Sequence, residues 1–141
     1  MSKINVGRLI LGGIVAGIVM DILDYPVDGV WLAPTWNHQL ATWGRPPFAG
    51  SALAWLLGFG IITGIAAVWI YAGIRPRFGA GMRTAVYAGI VTWILSALLP
   101  NIALMWVTHF FSGHLTAYTT FGALFETVIG TICGAALYKE N

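Results

Sequence analysis

The 141-residue chain is 58% hydrophobic and only 9% charged, with 7 basic and 5 acidic residues and a net charge of +2. Soluble domains carry about 25% charged residues, so this composition cannot supply a water-facing surface, and lipid is the expected solvent. There is no basic stripe to neutralise phosphates, which excludes a nucleic-acid partner. The single Cys133 excludes an intrachain disulfide.

Charge is missing from four long stretches and gathers between them. A helix needs about 20 residues to cross the hydrocarbon core. Four segments reach that length, at roughly 9–33, 50–74, 84–111 and 116–138. The expected fold is therefore all-α: one integral membrane domain over residues 1–141, built as a four-transmembrane-helix bundle. Lys3 and Arg8 ahead of the apolar run 9–20 resemble the start of a signal peptide. Asp21 and Asp24 stand where a small-residue cleavage site would lie, so this segment reads as a span.

Proline and glycine mark the linkers at 33–38, 43–47, 75–83 and 111–114. Lys3, Arg8, Arg75, Arg77, Arg83 and Lys139 fall on one side of the bundle, and only Arg45 falls on the other. The positive-inside rule places both termini and the 75–83 linker in the cytoplasm. Trp31, Trp36, Trp43, Trp55 and Trp106 collect at the opposite boundary, as an interfacial aromatic belt does. Gly-Ile-Val occurs at 13–15 and again at 89–91, and helices two and four end in Ala-rich runs closing on Tyr71 and Tyr138. These matches outline a weak repeat of two helix pairs.

The first helix carries the informative pattern. Gly13, Gly17, Asp21, Asp24 and Asp28 follow at intervals of three or four and share one helical side. Gly13 and Gly17 let another backbone approach closely, and helix four is the expected neighbour. Gly122, Glu126, Gly130 and Gly134 repeat the design on helix four, while helix two offers Gly60 and Gly64. Pro26 and Pro100 interrupt helices one and three and predict kinks. By helical rise, Asp21 and Glu126 each lie roughly 18 Å deep and are expected to face each other near the midplane.

No Lys or Arg lies at that depth. A charged Asp at a helix centre costs roughly 3 kcal/mol on insertion scales. Either these acids carry protons, or a cation, a metal or a file of water meets them. Two carboxyls can also share one proton. The blander reading is that protonated carboxyls simply hydrogen-bond across helices and hold the bundle together. His38, His109 and His114 fall toward the outer side and are weak candidates for a metal site with Asp28. Their spacing straddles a loop and forms no motif. The sequence holds no nucleotide-binding glycine loop, CxxC, HExxH or serine elbow, and no cofactor is indicated.

The strings GRLILGGIVAG (7–17), IRPRFG (74–79) and ALYKE (136–140), with a carboxylate at Asp24, resemble a group of uncharacterised small bacterial membrane proteins with four predicted helices. The resemblance spans nearly the whole chain and implies a multi-pass protein of the bacterial cytoplasmic (inner) membrane. It implies no activity. Those proteins are expected to carry Glu at the place of Asp24, and Asp21 departs from their pattern.

Three readings of function follow. The first is a non-enzymatic membrane component or accessory subunit of a larger membrane complex. The second is a small proton- or cation-coupled carrier, working as an oligomer and using Asp21, Asp24 and Glu126. The third is a membrane enzyme, for which no catalytic spacing appears.

Overall fold

The computed structural model describes residues 4–140. Lys3, one of the residues in the charge asymmetry, and Asn141 lie outside that range. The described chain is helical, with four helices long and apolar enough to cross a membrane. In chain order these and one short helix are α1 (Val6–Trp31), α2 (Ala33–Thr42), α3 (Ser51–Phe78), α4 (Met82–Val107) and α5 (Gly113–Leu137).

Local chemistry sets the ends. Asn5 caps α1 by accepting the Arg8 backbone N–H at 3.0 Å, and Ser112 caps α5 by accepting that of Leu115 at 3.2 Å. The stretch 33–38, expected as a linker, begins the short helix α2 instead. Pro34 sits in its first turn, where a missing N–H costs nothing. The 75–83 linker is also shorter than expected. Helix α3 runs through Pro76 to Phe78, and the turn is confined to Gly79 and Gly81, both at positive φ.

Three stretches wind as π turns: Tyr25–Trp31 in α1, and Ile94–Leu98 and Ala103–Val107 in α4. The interruptions that Pro26 and Pro100 impose take this form. Each proline removes a backbone donor, and the wider turn re-pairs the neighbours, as in the Leu32 N–H to Val27 carbonyl bond of 2.8 Å.

The helices pack with α1 against α3 and α5, and α4 against α5 and α3. The core lies toward the end that carries both termini. Leu9 and Tyr138 share it with Ala16, Val68, Tyr71, Ala85 and Ala88. At that end Arg75 pairs with Glu140 at 3.4 Å, and the Tyr71 hydroxyl accepts the Gly81 N–H at 3.1 Å. Toward the α2 end the first half of α3 is largely exposed.

The polarity is inverted relative to a soluble protein. Ile14, Ile18, Ile62, Trp69, Leu95 and Phe125 face outward, while Thr84, Thr92, Thr127 and Thr131 are buried. Those threonines need no distant partner. The Thr92 hydroxyl donates to the Ala88 carbonyl at 2.8 Å, that of Thr127 to Ala123 at 2.7 Å and that of Thr131 to Thr127 at 2.5 Å.

Candidate functional site: a carboxylate triad on α1 and α5

The glycines decide which helices meet and how closely. A Cβ at Gly13 would lie 2.5 Å from the Ile65 Cα, and one at Gly17 would lie 2.5 Å from the Ile61 Cα and 2.7 Å from the Gly60 carbonyl. A Cβ at Gly64 would collide with the backbone of Gly13 and Gly17. The Gly13–Gly17 stripe therefore packs on α3, at Gly60 and Gly64, and not on the fourth spanning helix as expected. Helix α5 takes the adjacent face of α1. Gly134 abuts Gly12 and Ala16, and Gly130 abuts Ala16 and Met20. The sequence reading merged two neighbouring faces into one, because Gly12–Ala16–Met20 lacks the glycine pair that drew attention to Gly13–Gly17.

This arrangement separates the acids. Asp21 continues the α3-facing stripe, and its carboxylate lies against Gly60, where any Cβ would strike it. It therefore does not face Glu126 in the way its depth suggested. Asp24, Asp28 and Glu126 gather instead, each offering a carboxylate oxygen within 4.8 Å of the others. Asp24 is exposed, Asp28 is half-buried and Glu126 is 9% exposed. Gly122, one turn before Glu126, leaves room for this. A Cβ there would sit 3.3 Å from Glu126 Oε1 and 3.2 Å from Val27.

The three acids differ in their partners. Asp28 Oδ1 accepts the Trp36 indole N–H at 2.6 Å, which ties α2 to α1. The Asp24 carboxyl has an oxygen within 4.8 Å of one on Asp28. Glu126 Oε1 is buried with no hydrogen-bond partner. No Lys or Arg forms an ion pair with any of them among the described residues, where the salt bridge present is Arg75–Glu140. At an effective dielectric of about 20, two like charges at this separation repel by about 3.5 kcal/mol. Three charged carboxylates without a counter-ion are not a stable arrangement, so protons or a cation complete the group.

An aromatic cover lies over the α2 end. Trp36 packs edge-on against Phe48 and Phe111, and Trp43 against Phe110, with ring centroids 5.3–5.9 Å apart. Sequence reasoning assigned Trp36 to an interfacial belt and missed its bond to Asp28. The spacing of eight residues across a proline gave no helical signal for it. His38, His109 and His114 are all exposed and do not join the acids. His114 instead stacks edge-on against Tyr118 at 4.5 Å, and His109 sits at positive φ.

No family model matches the chain, and no curated protein or solved structure is significantly similar to it. The likeness to small bacterial membrane proteins thus rests on the quoted strings alone.

Proposed function

We propose that the chain is a non-enzymatic multi-pass protein of a bacterial cytoplasmic membrane whose Asp24–Asp28–Glu126 triad takes up and releases a proton or a small cation. The observation that carries this reading is Glu126. Its Oε1 is buried without a donor, and its carboxylate has an oxygen within 4.8 Å of those of two further acids. A purely structural carboxyl is expected to find a donor, as Asp28 does in Trp36. Arg75, Arg77 and Arg83 at the end with the termini support a cytoplasmic location for that end. The triad then lies in the outer half of the bilayer.

The test is reconstitution of the full chain into vesicles holding a pH-sensitive dye. A pH step should drive proton uptake that Glu126→Gln abolishes while the helical content stays unchanged. Equal signals from wild type, variant and empty vesicles, with no cation bound by the chain either, would sink the proposal.

A second reading, an accessory subunit of a larger complex or a homo-oligomer, is favoured by Asp24. An exposed acid on an apolar helix is costly toward lipid, and a neighbouring chain would cover it. Mass measurement on the natively extracted protein separates the two, since stable partner chains support the subunit reading.

A further inference from the structure

We infer that Asp24, Asp28 and Glu126 form a binding site for a hard divalent cation of the size of Ca²⁺ or Mn²⁺. This rests on the proton- or cation-binding reading above and names the class of ion.

The donor set comes first. It consists of carboxylate oxygens alone, with no imidazole or thiolate in the group. Oxygen sets of this kind suit Ca²⁺, Mg²⁺ and Mn²⁺ rather than softer metals.

Size comes second. Oxygens on opposite sides of a Ca²⁺ ion, each at about 2.3–2.6 Å, stand roughly 4.6–5.2 Å apart. The three ligand oxygens here all lie within 4.8 Å of one another, so they can close on such an ion with little movement. Mg²⁺ needs a tighter shell, with opposite oxygens about 4.2 Å apart, and gives up its waters reluctantly.

Charge comes third. The three carboxylates form no ion pair with a basic residue among the described residues. A divalent ion leaves one excess negative charge, which a single retained proton removes. A monovalent ion leaves two.

Two further observations point to a ligand. Glu126 is nine-tenths buried, its Oε1 lacks a partner, and its side chain reaches into the group with a carboxylate oxygen within 4.8 Å of the other two. Asp28 is already oriented by the Trp36 indole, the kind of outer partner that fixes metal-binding carboxylates.

The experiment uses the purified full chain in lipid nanodiscs, with Mn²⁺ followed by electron paramagnetic resonance and Ca²⁺ as competitor. One saturable Mn²⁺ per chain is expected, displaced by Ca²⁺ and accompanied by proton release. Glu126→Gln and Asp28→Asn should weaken binding by at least the roughly 10–100-fold that loss of an outer partner costs. Asp21→Asn and His114→Ala should leave it unchanged. Binding should weaken on acidification, because protons compete with the ion for the carboxylates of Asp24, Asp28 and Glu126. If a triad variant does not fold, Trp36→Phe, which leaves every ligand in place, should still weaken Mn²⁺ binding.

No saturable binding of Mn²⁺ or Ca²⁺, or binding indifferent to the triad and Trp36 substitutions, overturns the inference. Proton uptake in the vesicle assay that persists without divalent binding overturns the inference alone. Absence of both overturns the broader reading as well.

Discussion

The Trp36 indole N–H donates to Asp28 Oδ1 at 2.6 Å, joining the short helix α2 to the acidic face of α1. A hydrogen bond to a charged group contributes about 1.5–3 kcal/mol. Trp36→Phe keeps an aromatic ring against Phe48 and Phe111 but removes the donor. The expected result is a loss of stability of that order in a reversible unfolding assay in detergent, with helical content preserved. Stability equal to wild type would show that the bond carries no weight.

Gly17→Leu places a branched side chain where a bare Cβ already lies 2.5 Å from the Ile61 Cα. Because that neighbour is backbone, it cannot rotate away. Overpacking of this kind costs typically 1–3 kcal/mol, and here α1 and α3 must separate. Gly73→Leu meets nothing within 4 Å and is the control. The thermal midpoint should fall for the first variant and hold for the second; equal midpoints would contradict the α1–α3 seam.

In the absence of divalent cations, at least one acid of the triad should carry a proton at pH 7, since three charged carboxylates this close repel strongly. Difference infrared spectroscopy of wild type against Glu126→Gln, Asp24→Asn and Asp28→Asn should show a protonated carboxyl band that one or more substitutions remove. A wild-type spectrum without such a band in ion-free buffer would contradict the expectation.

The orientation proposed from the basic residues predicts the behaviour of reporter fusions. An enzyme active only in the periplasm should be silent when joined after Tyr138 and active when inserted at Gly44, in the turn after α2. The opposite pattern would invert the assignment and move the triad toward the cytoplasm.

The spans were legible because apolar length is a one-dimensional signal. Their partners were not. Gly13 and Gly17 announce a close contact, but the α3 and α5 faces of α1 differ by only one position along the chain, Gly12 against Gly13. The membership of the acidic group was obscured for a related reason. On a regular α-helix Asp21, Asp24 and Asp28 share a side. The π turns from Tyr25 advance by a smaller angle per residue, so Asp28 falls back from the Asp21 stripe toward Asp24 and Glu126. Pro26 signalled a disturbance there without revealing its form. Helix α2 was hidden by Pro34, which reads as a breaker but serves as a first-turn residue.

The seam where Gly13 and Gly17 meet Gly60 and Gly64 brings backbone against backbone, too close for a Cβ, and it can open only if the two helices move apart. Rotamer changes, which take picoseconds to nanoseconds, cannot open it, whereas displacement of whole helices takes microseconds to milliseconds. Any rearrangement that needs α1 and α3 to part would therefore be slow beside the side-chain motions around them.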